Sequence, residues 1–370
     1  MNSKAVLVIV VVVILGAIFY LERLKPDSRP FSGEDTINNR AVTMSFDEKA
    51  KKYDTAKEIV NPSGFLNVEP GFNLQNVIGK KVILADFWTY SCINCQRTLP
   101  YLNAWYEKYK DQGLEIVGIH TPEFEFEKKY ENVRQAIEKY GIKYPVVQDN
   151  DYSTWQAYGN RYWPRKYLID IDGFIVYDHI GEGGYEETEK KIQELLQERK
   201  TAFNESFEVG SDVVNPEDAE SVIAGQARTP EIYFGFTRNE LLGNGLRGKA
   251  GEQNFSAPKT LIKNQFYLQG PWDIREEYAE NKTGSAEIIL SYKAQKVFMV
   301  ASSESGVRVR ILLDGKEIGD DSGRDVGADG TLVINEEGLY RLVESGEYGS
   351  HELTIIIEAP GLEAFTFTFG

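Results

Sequence analysis

Apolar and polar positions change period several times along this chain, and each change marks a different element. Ala5 to Leu21 is an unbroken apolar run without a charge. Its 17 residues lie at the short end of what spans a bilayer. A cleaved leader has a shorter apolar core and small residues at its cleavage site, and no A-x-A pattern closes this run. Residues 1–21 are therefore expected to form an uncleaved membrane anchor. Lys4 precedes the run while Arg23, Lys25 and Arg29 follow it, so the flanking charges lean weakly against export of the body. Residues 22–57 are polar, are punctuated by Pro26, Pro30 and Gly33, and keep no sustained period, so they are read as a linker.

The texture then becomes that of an α/β domain, over residues 58–200. Val82 to Trp88 is a continuous apolar run carrying one acid, Asp86, which suits a strand covered on both faces. Cys95, Leu99, Leu102, Tyr106 and Tyr109 follow at spacings of four, three, four and three, one stripe of an amphipathic helix with Gly113 as its stop. Glu115–Ile119 reads as a strand, Glu127–Tyr140 as a helix ended by Gly141, Tyr144–Val147 as a strand and Ser153–Tyr158 as a short helix. Tyr167–Ile171 and Phe174–Ile180 flank an Asp172-Gly173 turn, and Tyr185–Lys200 closes the pattern as a charged helix. A β-α-β-α-β order ending in β-β-α predicts a mixed sheet with an antiparallel edge.

Residues 201–226 are acidic and polar and are expected as a second linker. From 227 to 370 short alternating runs without helices predict an all-β sandwich of the jelly-roll kind: Ala286–Tyr292, Lys296–Ala301, Val307–Leu313, Thr331–Ile334, Leu353–Ile357 and Phe365–Phe369.

Composition narrows the function. Acidic residues outnumber basic ones by 57 to 41, and a net charge of −16 repels phosphate backbones, so no nucleic-acid partner is expected. Two cysteines exclude a multi-disulfide scaffold and a zinc site built on cysteine alone. They stand as Cys92-Ile93-Asn94-Cys95, at the junction of the buried strand and the helix. Thiol–disulfide exchange needs a thiolate, and the free N–H groups and dipole of a helix N-terminus stabilise one. Cys92 is so placed and reads as the attacking sulfur. Cys95, three positions deeper on the same face, reads as the resolving one. A CxxC pair on a βαβ pattern reads as redox-active ahead of a structural disulfide or half a metal site. His120, His179 and His351 are scattered, so no metal is expected, and the chemistry calls for no cofactor. No third cysteine stands apart, which disfavours a peroxidase.

Asp86-Phe87-Trp88-x-x-x-Cys92-x-x-Cys95 with Pro100 resembles the thioredoxin active site. The strings Phe87–Cys95, Arg97–Tyr101, Gly118–Phe124 and Tyr162–Asp170 resemble the DipZ-type thioredoxin-like proteins, within the exported TlpA-like branch. The resemblance implies that Asp86 takes and returns the proton of the deeper cysteine. It implies that Pro164 is cis beside the sulfurs, and that Trp163, larger than the residue usual there, narrows or stacks on the substrate site. Glu123 and Glu125 are expected to be solvated, and Thr98 stands where some relatives carry a glutamate. The strings Thr229–Gly235, Leu268–Trp272 and Phe365–Gly370 resemble the module that follows the redox domain in DipZ proteins, which resembles carbohydrate-binding sandwiches. That makes carbohydrate a candidate partner, with Tyr233, Phe234, Tyr267 and Trp272 able to stack on sugar rings, although aromatics at strand spacing are usually core. An acidic loop with Asp320, Asp321, Asp325 and Asp329 is expected to be solvated.

The expectation is a membrane-anchored oxidoreductase outside the cytoplasm that reduces protein disulfides. Its electrons would come from a CcdA-like membrane thiol carrier, a cytochrome c biogenesis-like arrangement. The alternatives are a disulfide-forming oxidant, and a surface glycan-binding protein whose redox domain is vestigial.

Overall fold

The structure is a computed structural model that describes residues 44–220 and 228–370. The expected anchor, residues 1–21, lies outside the described residues. No described helix is long and apolar enough to cross a membrane.

The first module runs α1 (Phe46–Lys52), β1 (Gly64–Leu66), β2 (Val82–Trp88), α2 (Ile93–Tyr109), β3 (Leu114–His120), α3 (Tyr130–Lys139), β4 (Val146–Gln148), α4 (Ser153–Ala157), β5 (Arg165–Ile169), β6 (Ile175–Ile180) and α5 (Tyr185–Phe203). Its six strands are ordered β1-β4-β3-β2-β5-β6. The central β4, β3 and β2 are parallel, and β1, β5 and β6 are antiparallel to their neighbours. This is a thioredoxin fold with an added edge strand. Every residue of β2 and β3 is buried, which is why both read as apolar runs rather than alternations. Leu84 and Trp88 face Leu99 and Leu102 of α2 and Ile192 of α5. Ile83, Ala85 and Phe87 face the other way, against Ile59, Leu74 and Val77. Strand parity therefore turns Asp86 toward α2, the side that carries the cysteines.

Two segments differ from the sequence expectation. The helix expected from Glu127 begins at Tyr130, after a 3-10 turn over Glu125–Lys128, because the Glu127 side chain turns inward and caps that turn's own backbone. The end of the expected linker is packed on the domain. Lys49 of α1 is buried and its ammonium lies 2.8 Å from Asp170, 2.7 Å from Asp172 and 2.5 Å from Glu198. A polar composition was compatible with a tether; three carboxylates around one lysine make it a docked helix instead.

The second module is β-rich: β7 (Ile232–Tyr233), β8 (Gly251–Phe255), β9 (Gln265–Ile274), β10 (Ala279–Asn281), β11 (Ala286–Ser302), β12 (Val307–Leu313), β13 (Lys316–Glu317), β14 (Thr331–Ile334), β15 (Gly338–Ile357) and β16 (Glu363–Phe369). The pairings between these strands are antiparallel and belong to one continuous network. Two of the runs expected as separate strands are the two halves of β11. It pairs with β9 over Glu287–Ser291 and with β16 over Val297–Ser302. Register shifts near Ala294–Lys296 and Val297–Phe298 let it turn from one side of the core to the other. The core it wraps includes Trp272, Phe266, Leu290 and Phe367.

Residues 44–370 form a single compact unit. Phe298, Val300, Leu339 and Phe365 of the second module share a buried cluster with Ile93, Cys95, Phe124 and Phe126 of the first. The segment before residue 221, within the expected linker, packs on the first module: the backbone N–H of Val214 donates to Glu189 at 2.8 Å, and Glu220 is ion-paired with Arg97 at 3.4 Å and, in the second module, with Arg324.

Candidate active site

Cys92 caps α2 with extended dihedrals, φ −80° and ψ 119°. It is half-buried, whereas Cys95, one turn in, is 1% exposed. Both are free thiols. Burial above all, then contact with Cys92 and the charge of Asp86, pushes the Cys95 thiol well above the ordinary range. The two sulfurs are thus distinguished by environment: one reachable at a helix N-terminus, the other sealed and held protonated.

Asp86 is the sealed acid behind them. It is 1% exposed, and its Oδ1 has no hydrogen-bond partner among the described residues. Burial pushes its carboxyl up to about 7, against the opposing pull of Lys166. Lys166 stands directly across the β2–β5 pairing from Asp86 and is equally buried. Burial in turn pushes the Lys166 ammonium down, while Asp86, Cys95 and Glu182 pull it up. Beside Asp86 on β3 is Gly118, where a Cβ would come within 2.9 Å of Trp88 Nε1 and 3.3 Å of the Tyr144 ring. A glycine there lets both rings pack directly against β3 beside Asp86.

The Trp163–Pro164 bond is cis. The Trp163 indole N–H donates to the Thr121 carbonyl at 3.0 Å, and its ring lies 4.3 Å from Trp155. Trp88 and Trp105 are fully buried packing. Thr98 donates to the Asn94 carbonyl within its own helix.

Three groups escaped the sequence reading. Lys166 lies inside the Tyr162–Asp170 string, and beside Arg165 at the start of β5 its charge gave no separate signal. Glu127 is fully buried and accepts from the Ser91 hydroxyl at 2.6 Å, just before the nucleophile, and from the N–H groups of Glu123 at 2.5 Å and Phe124 at 3.0 Å. Reading a helix from Glu127 onward hid it. Glu123, expected to be solvated, accepts from Arg238 and from the Tyr233 hydroxyl, both at 2.9 Å, across the module boundary. Glu125 is exposed.

His120 is buried beside Thr89, and burial pushes its imidazole down to about 3. His179 and His351 lie elsewhere. Asp170, Asp172 and Glu198 bring carboxylate oxygens within 4.8 Å of one another, and Lys49 sits among them. In the second module Phe234, Tyr267 and Trp272 are core residues and Tyr233 is engaged by Glu123 and Arg238, so these four offer no exposed platform. Asp325 accepts from the Arg341 backbone and Asp329 from Thr331.

A half-buried sulfur at a helix N-terminus above a sealed sulfur and acid, on this sheet, defines a class. Residues 66–178 match the AhpC/TSA family, and residues 229–370 match a family described as Thioredoxin like C-terminal domain. The thiol-disulfide oxidoreductase ResA of Bacillus thuringiensis is 32% identical over 135 residues, 34% of this chain and 75% of ResA. The chain belongs to the thioredoxin-like family of thiol-disulfide oxidoreductases. Protein DipZ of Mycobacterium tuberculosis is 36% identical over 319 residues, and the match covers 85% of this chain, so it takes in both modules. The chain spans less than half of DipZ, 43% of its length. A solved thiol-disulfide isomerase from Corynebacterium glutamicum is 20% identical with a TM-score of 0.36, over 40% of this chain and 97% of that one.

Proposed function

We propose that this chain is a thiol–disulfide oxidoreductase that reduces disulfides in proteins. The Cys92 thiolate attacks a substrate disulfide, one substrate sulfur leaves and is protonated, and a mixed disulfide joins Cys92 to the other. Asp86 takes the proton of Cys95, whose sulfur attacks Cys92 and frees the second substrate thiol. Two electrons have then passed to the substrate, and Cys92 and Cys95 are left as a disulfide. The observation that carries this reading is the asymmetry of the pair, a half-buried Cys92 over a Cys95 sealed beside an acid tuned to about 7. Pro164 and Trp163 flank the site and supply the backbone edge on which an extended substrate segment pairs. The apolar run at residues 5–21 anchors the body on the outer side of the membrane, and a CcdA-like membrane dithiol returns the two electrons. The test is Cys95→Ala, which removes the resolving sulfur. Covalent adducts through Cys92 should accumulate in cells and disappear in Cys92→Ser. Catalysed reduction of insulin should be lost in both variants. Absence of adducts together with unchanged insulin reduction contradicts the proposal.

A further inference from the structure

The residues just inside the redox helix are covered to an unusual degree. Ile93 is 1%, Gln96 7% and Arg97 4% exposed, although they belong to the first turn of a helix whose cap must meet substrate. The cover comes from the second module. Arg341 donates to the Gln96 side chain at 3.0 Å, and Gln96 in turn donates to the Tyr90 carbonyl at 2.8 Å. Arg97 lies over the Phe298 ring at 5.2 Å. Phe365 is wedged between Phe124 and Phe126, with ring centroids 5.2 and 4.9 Å away. Glu220, in the segment that joins the two modules, collects Arg97, Arg324 and Arg341 and so ties that segment, α2 and the second module together.

The neighbourhood of the cis proline is different. Tyr162 is 49% and Ile180 50% exposed, two large apolar side chains left to solvent. Tyr162 leads into Trp163, and Ile180 pairs with Arg165, so both border the cis proline. The helix turn that follows Cys92 is covered by the second module, while the edge beside the cis proline carries two exposed apolar side chains.

We infer that the second module is a wall of the active site that admits extended, apolar-flanked cysteine segments from the Trp163 side and excludes bulky folded surfaces. A wall confers specificity by obstruction, which costs the correct substrate nothing while penalising the wrong one sterically. The module needs no ligand of its own for this role. The inference rests on Cys92 being the attacking sulfur, and its test separates the two.

The reduced full chain is labelled with N-ethylmaleimide and with a polyethylene-glycol maleimide of several kilodaltons, and the rates at Cys92 are compared by peptide mapping. An unfolded control peptide carrying Thr89–Leu99 sets the size penalty of an open thiol. The wall predicts a bulky-to-small rate ratio roughly tenfold or more below that control. Gln96→Ala and Arg341→Gln, two variants that cut the same contact from opposite sides, should raise the ratio several-fold and leave the small-probe rate within about twofold. Reduction of an extended peptide disulfide should then stay level while reduction of a folded protein disulfide rises. A wild-type ratio equal to the control overturns the wall, as does a parallel change of both rates in folded variants, which marks the contact as merely structural. If the small probe labels Cys95 ahead of Cys92, it is the proposed function that fails.

Discussion

Asp86 carries the proton economy of this site, and its environment makes the consequences specific. Its folded value near 7 lies above the ordinary carboxylate value of 3.8, because burial outweighs the attraction of Lys166. A raised value means that the folded state favours the protonated form. The associated stability is therefore fully present below about pH 4 and is lost as pH rises toward 7. Asp86→Asn should remove that loss, stabilising the protein by about 2–4 kcal/mol at pH 8 and by much less at pH 4, as read by chemical denaturation at the two pH values. The same change should slow the resolving step by about a hundredfold and abolish its rise with pH through the neutral range, measured by stopped flow on the mixed disulfide. Lys166→Met should move that rise to higher pH, since the cation that favours the carboxylate is gone. An unshifted rise would mean that Asp86 is not the group being titrated. The acid was legible in the sequence because charge inside an apolar run is conspicuous. Lys166 was not, since its strand begins with Arg165 and a cation beside another cation is not conspicuous.

Elements whose apolar period is strong were readable to the residue. Val82–Trp88, Val307–Leu313 and Thr331–Ile334 are strands with the bounds the pattern implies. Elements held by polar contacts were not. Helix α1 has no apolar stripe; what docks it is Lys49 among Asp170, Asp172 and Glu198, residues 121 or more positions away in the chain. Lys49→Ala should leave those three acids facing one another and cost about 3 kcal/mol, whereas Lys51→Ala on the exposed side should cost within about 0.5 kcal/mol. Equal and small effects would show the docking to be incidental. The Glu125–Lys128 turn was misread for the same reason, since one inward carboxylate, Glu127, overrode a helical pattern.

At the scale of the molecule, the sequence separated two textures and the structure joins them. The joining residues are split between modules: Phe365 meets Phe124 and Phe126, and Arg238 meets Glu123. Pairings more than a hundred residues apart leave no local period, so the sequence showed two textures joined by a linker and not the contacts between them. A shared core predicts one cooperative thermal transition for residues 44–370, and Phe365→Ala should split it into two in calorimetry while costing about 3–5 kcal/mol. Two transitions in the unaltered protein would contradict a common core. The most direct trial of the whole account is a redox titration of the full chain against glutathione, with the oxidised product mapped by mass. The account predicts one reversible two-electron couple, a Cys92–Cys95 disulfide, with a potential below about −200 mV, low enough to reduce substrates in an oxidising compartment. A potential above about −150 mV would make the protein an oxidant, and a chain that forms no such disulfide would contradict the redox assignment itself.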